Sequence, residues 1–256
     1  MLAAQTGRED LVEALSDRGA WIDLIVASAL LDPKPVTEQL DRGEPTASPN
    51  GLTALHACAG SHIWTISDEH QASQLSVLRL LIEAGAEIDA EAHLGRPFTP
   101  LGSCCQTGGS IPTVEALTKT GATPNHPHAL RSALRHFKGR KSADNPLADA
   151  LVACGCDVET IIDDLSRTCL HAYSHHEEIQ ALRWLLNNGA AVTARMVDGR
   201  TPLNLAPDRN NHTTVVKMLI EHRTDVTEVD DLGKTPLDYA VENYKTRVVD
   251  YLRNLG

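Results

Sequence analysis

Two groups of residues in this 256-residue chain have types and spacing that suit metal chemistry. His171 and His175 stand four positions apart, which puts both imidazoles on one face of a helix, as zinc ligation requires. His176, Glu177 and Glu178 follow directly. A structural zinc site needs a closed tetrahedral set, however, and none is complete here. His171 also closes a Thr168-Cys-Leu-His segment whose counterpart recurs at Thr53-Ala-Leu-His56, so its position has a second explanation. The other group combines His126 and His128 with Cys104-Cys105 and with Cys154 and Cys156. It lacks the paired C-x2-C spacing of a zinc finger, and the thiols occupy places where a small buried side chain fits. No G-x-S-x-G elbow and no phosphate-cradling glycine loop occurs. The sequence therefore predicts no metal, no cofactor and no catalytic residue. Its 12 histidines keep an acid–base site in a groove as the alternative.

The elements that would position these residues are clearest between Arg167 and Val197. Thr168 is placed to cap a helix, because its hydroxyl can accept from an otherwise orphaned backbone N–H. Leu170 and Ala172 give that helix a small apolar face. A second helix follows, with Ile179, Leu182, Leu185 and Leu186 at helical spacing. Gly189 then ends it, since a left-handed position carries no steric cost for glycine. Two short helices cannot bury both faces alone, so the unit needs neighbours. The neighbours carry the same ruler: Thr168 to Gly189 and Thr235 to Gly256 are each 21 positions, and Thr201 lies 21 before His222, expected to stand in for the glycine. Thr168, Thr201 and Thr235 are separated by 33 and 34 positions.

A unit of this period headed by T-x-L-H or T-P-L resembles the ankyrin repeat. The resemblance covers almost the whole chain and implies an all-α fold: a solenoid of about seven to eight helix-turn-helix units with short β-hairpin fingers, two units degenerate. The units fall at about 1–21, 22–49, 50–94, 95–127, 128–164, 165–197, 198–231 and 232–256, in one domain over 1–256. The first enters part-way through the pattern, so either the N-terminus has been trimmed or its cap begins late. Pro33 and Pro35 are expected to mark one inter-helix turn and the start of its second helix, and the other turns are expected at Gly108-Gly109 with Pro112, over the basic stretch from Phe137 to Asn145, and at Pro207 to Asn211. The resemblance also implies that fingers and first helices form a concave groove for partners. Residues just before the T-P-L heads carry that role: Asn50, Leu52, Arg96, Arg167, Arg200 and Lys234. They make a largely basic row, suited to an acidic partner through bidentate arginine contacts, unless the row is only solvated turn.

The third unit carries 11 extra residues, about Ser61 to Gln71, and loops of that length are often functional. Trp64 within it is either a binding anchor or folded back on its own repeat. Composition sets outer bounds. A hydrophobic share of 42% with only 4% aromatics suits thin layers of Leu, Ala, Val and Ile. The net charge of −11 disfavours nucleic acid, whose binding is dominated by phosphate neutralisation. Six cysteines at mostly core positions read as reduced thiols and hence an intracellular, cytoplasmic or nuclear, protein. Leu24 to Leu31, the longest apolar run, cannot span a bilayer core of about 30 Å. The expected function is a protein–protein adaptor or scaffold. The alternatives are a small-molecule or enzymatic groove, and an effector or inhibitor of a cellular enzyme.

Overall fold

The computed structural model describes residues 28–29, 31–41, 51–62, 65, 67–94, 96–137, 144–176, 178–209 and 213–255. These form two compact units, one of Met1–His136 with Pro146–Cys156 and one of Phe137–Asn145 with Asp157–Gly256. Thirteen helices and a single two-stranded hairpin occur among the described residues.

Within unit 1 the elements are α1 (Pro33–Asp41), α2 (Ala54–Ala59), α3 (Asp68–Glu83), β1 (Ala92–Leu94), β2 (Arg96–Phe98), α4 (Pro100–Gln106), α5 (Ile111–Lys119), α6 (Ala129–Ala133) and α7 (Pro146–Ala153). Short first helices stack on first helices, α2 on α4 and α4 on α6, while α1, α3, α5 and α7 line up behind them. Cap chemistry sets each start: Thr53 and Thr99 accept from the N–H of His56 and Gly102, and Pro100 opens α4 where its missing N–H costs nothing. The hairpin pairs β1 with β2 antiparallel, Ala92 facing Phe98. Leu55, Leu101, Val114, Leu117 and Leu151 are fully buried between the layers. Each such leucine contributes about 1.5–3 kcal/mol by leaving water.

Unit 2 repeats the plan with α8 (Cys169–His176), α9 (Ile179–Asn187), α10 (Pro202–Arg209), α11 (Thr214–Glu221), α12 (Pro236–Glu242) and α13 (Thr246–Arg253). Here α8, α10 and α12 stack in order, and α9 packs on α11. Leu170, Leu182, Leu185, Leu203 and Leu219 are fully buried. Behind α9, Gly189 takes φ +81° and closes the helix: its N–H reaches the Leu186 carbonyl and that of Ala190 reaches Leu185.

The repeat ruler needs one adjustment here. The residue equivalent to Gly189 after α11 is Arg223, at φ +64°, whereas His222 is still right-handed with φ −91°. LLNNG aligns with LIEHR, so a 34-residue step and not a 33-residue one relates the two positions. Three helix ends also differ from expectation, the first being that of α3, which begins at Asp68, capped by Ser67, inside the stretch expected as an extra loop. Helix α10 runs through Pro207 to Arg209, the proline costing one hydrogen bond near its end, and α6 stops at Ala133 although its apolar pattern continues. The fingers of unit 2 are turns without paired strands. Each is closed by backbone bonds: Ile162 to Arg167, Met196 to Arg200, and Asp230 to Lys234.

Candidate partner-binding surface

The Thr-x-x-His segments do structural work. The Thr53 N–H donates to His56 Nδ1 at 3.2 Å, so this nitrogen is the acceptor and the proton sits on Nε2. That Nε2–H donates to the Phe98 carbonyl at 3.1 Å, one repeat further on. His171 copies the arrangement, with Nδ1 accepting from Thr168 and Nε2 bonded to the Arg200 carbonyl at 3.4 Å. Burial holds the pKa of both rings below the ordinary histidine value, favouring the neutral form these bonds need. Both nitrogens of His171 are thereby occupied, and no lone pair is left for a metal.

Elsewhere the candidate chemistry is dispersed. Among the described residues no group of three or more His, Cys, Asp and Glu is close enough to hold a metal ion. His126 faces Glu91 at 3.8 Å and His128 edge-on at 5.9 Å between ring centres, away from a complete ligand set. Cys58, Cys104, Cys105, Cys156 and Cys169 are buried thiols outside any disulfide, and burial pushes Cys104 up to about 12. A cavity of about 110 Å³ lies among Leu40, Leu55, Leu81, Ala84 and Ala86, with Glu87 its one charged neighbour.

The row of residues before the T-P-L heads divides. Asn50 and Trp64 lie outside the described residues. Leu52 is only 1% exposed and belongs to the core of unit 1, so it presents no side chain to a partner. Arg96 lies on β2 three positions before Thr99, out of step with the others; the equivalent position is Phe98, whose carbonyl receives His56. Arg167, Arg200 and Lys234 do share one register in unit 2, each immediately before its threonine.

Each of these three cations already has an acid. Arg167 grips Asp163 through Nε at 2.6 Å, Arg200 holds Asp198 at 2.7 Å, and Lys234 reaches Glu242 at 2.7 Å. Burial alone would raise Asp163, but Arg167 and the neighbouring backbone N–H groups hold it below the usual carboxylate range. Tyr239 sits between the second and third cations, its ring centre 5.9 Å from the Arg200 guanidinium and 5.5 Å from the Lys234 ammonium. Its hydroxyl donates to Asp230, which also accepts from the N–H groups of Leu232 and Lys234. Burial and that bond push the phenol well above its ordinary range.

The fingers are tied side by side. Val197 N–H donates to the Leu165 carbonyl and Asp231 N–H to that of Asp198, while Arg195 reaches across to Glu228 and the Val229 carbonyl. Gly199 allows the close approach: at φ +77° a Cβ there would collide with the Asp231 side chain and come within 2.8 Å of its backbone nitrogen. Along this ridge Leu165, Val197 and Leu232 are exposed by 45%, 58% and 75%. Sequence patterning marked the cations and passed over these aliphatic tips and the carboxylates beside them. The available signal was an aliphatic residue set among turn residues, as in Asp-Leu-Gly-Lys at 231–234, where no core position was expected.

Stacked helix pairs, threonine caps and finger turns that recur in unit 2 every 33 to 34 residues define a repeat protein whose first helices and fingers recur in phase. Family models described as ankyrin repeats match residues 140–230 and 198–256, and an ankyrin-repeat model matches residues 50–93. The chain belongs to the ankyrin-repeat family. It is 38% identical over 206 residues to neurogenic locus notch homolog protein 1 of Mus musculus, covering 78% of this chain and 7% of that one. It is 31% identical over 181 residues to the NF-kappa-B inhibitor cactus of Drosophila melanogaster, covering 69% and 34%. This chain thus spans only a minor part of those relatives' length. The human ASB11 ankyrin repeat domain shares the fold at a TM-score of 0.63 and 20% identity, over 92% of this chain and 98% of that domain. Among the described residues no helix is long and apolar enough to cross a membrane.

Proposed function

We propose that this chain is a protein-interaction module that receives its partner on the fingers and first helices of unit 2 and performs no chemistry of its own. The observation that carries this reading is the ridge of exposed aliphatic tips, Leu165, Val197 and Leu232, on fingers cross-linked by backbone hydrogen bonds. Apolar side chains held on a rigid edge lose little entropy on docking and release water when covered. The similarity to a protein named as an NF-kappa-B inhibitor supports action by capture, as an adaptor or as an inhibitor of a cellular protein. The largely apolar lining of the cavity near Leu55, with no histidine, argues against a hidden acid–base site there.

The test is a triple variant, Leu165→Ser, Val197→Ser and Leu232→Ser, compared with the intact chain for partner capture from cells. Capture is expected to fall sharply while stability changes by no more than about 0.5 kcal/mol per substitution, the usual range for exposed positions. Undiminished capture would move the binding surface elsewhere, with Trp64 the next candidate.

A further inference from the structure

The finger ridge selects the opposite charge from the one its arginines suggest. We infer that it receives a cationic aliphatic segment of a partner protein, with Lys or Arg side chains set between Leu, Ile or Val. This inference rests on the proposal that unit 2 binds protein through its fingers.

Three observations support it. First, the cations are committed: Arg167 to Asp163, Arg200 to Asp198, Arg195 to Glu228, and Lys234 to Glu242. An acidic partner that drew Arg167 or Arg195 away would leave the part-buried Asp163 or Glu228 without its counter-ion. Second, carboxylates outnumber cations on the fingers. Residues 161–167, 194–200 and 228–234 hold six Asp and Glu against four Arg and Lys. Asp164 is exposed, and Asp231 is 64% exposed with its arginine neighbour no closer than 4.0 Å. Third, these carboxylates stand beside the apolar tips in sequence, Asp164 before Leu165 and Asp231 before Leu232. Two of the three fingers therefore offer an aliphatic contact next to an available carboxylate, with Val197 between them, and a segment alternating cations with aliphatics meets both.

Three peptides of equal length provide the probe: alternating Lys and Leu, alternating Glu and Leu, and alternating Lys and Ser. Each is titrated into the full chain carrying labelled leucine and valine methyl groups. The Lys–Leu peptide is expected to shift the methyl signals of Leu165, Val197 and Leu232. Its affinity should fall about tenfold as salt rises from about 50 to 500 mM, because exposed charges are screened over a few ångströms at high salt. Replacing Asp164→Asn and Asp231→Asn together should weaken it by about threefold to tenfold, as expected for two exposed charge contacts. If the Glu–Leu peptide moves the same signals and binds more tightly, the charge assignment is overturned while the docking ridge stands. Equal binding by the Lys–Ser peptide would overturn the aliphatic half. No shift at these methyls with any peptide would sink the protein-binding reading of the ridge itself.

Discussion

In the seventh repeat an asparagine holds the place that histidine takes in the third and sixth, and the substitution leaves a defect that can be repaired. Asn204 Oδ1 accepts from both the N–H and the hydroxyl of Thr201 at 2.8 Å, so the tie from this residue back to the helix start is kept. Its Nδ2 is buried and has no hydrogen-bond partner. The side chain is too short to reach the next repeat, where His56 and His171 bond the carbonyls of Phe98 and Arg200. The equivalent acceptor is the Lys234 carbonyl, which receives the Asp230 N–H and keeps a second lone pair, just as Arg200 receives Met196 and His171 together. Asn204→His should place an Nε2–H at that lone pair and remove the orphaned amide. A net hydrogen bond contributes about 0.5–1.5 kcal/mol, and a stranded buried donor costs about 1–3, so a gain near 1 kcal/mol is expected. For a chain of this size that raises the unfolding midpoint by about 2–4 °C. The assay is thermal and urea unfolding, combined with amide exchange read over Pro236–Arg253, where slower exchange should accompany the gain. Lower stability, or exchange in α12 and α13 unaffected, would refute the view that this bond couples one repeat to the next. The reciprocal change, His171→Asn, should cost about 1–3 kcal/mol by stranding the same donor between α8 and α10.

Four further outcomes follow from particular residues. Arg223→Gly should stabilise by about 1 kcal/mol in urea unfolding, since Arg223 holds a left-handed conformation that disfavours any side chain. Gly199→Ala should destabilise by about 1–3 kcal/mol, because strain adds to a collision with Asp231. Burial depresses His56 and His171 below their unfolded value, so stability should be level above about pH 7 and decline as pH drops below about 6.5, where only the unfolded rings take up protons; a pH titration of the urea midpoint measures this, and His56→Asn should flatten the decline. Of the six thiols Cys154 should react first with an aromatic disulfide reagent in the native chain, the other five being buried.

The repeat plan was legible because the residues that specify it act locally. Thr53 and Thr235 cap their own helices, and Gly189 turns its own chain, so type and spacing suffice. The finger row was legible only in outline. Arg167, Arg200 and Lys234 were found by register, but their partners lie four before, two before and eight after, offsets that no repeat period announces. A basic row in sequence is thereby a neutralised one in space. Leu52 and Arg96 went astray for related reasons: one is in register but buried, the other is basic but two residues early, on the only paired hairpin among the described residues. A count of 21 from the cap puts His222 in the glycine's place, whereas alignment of the apolar residues puts Arg223 there, as its left-handed backbone requires.

The bridging histidines also bear on how this chain tolerates change in length. His56 meets a carbonyl 42 residues ahead, and His171 meets the equivalent carbonyl only 29 ahead. One contact closes both intervals, so it senses distance in space and is blind to how much chain lies between. Extra residues are accommodated between the two helices of a repeat, in the third unit partly as added turns at the start of α3, without altering the step to the next. Insertions and deletions at that turn can therefore be sampled over evolution while the finger edge keeps its spacing, and a partner surface fitted to that edge survives them.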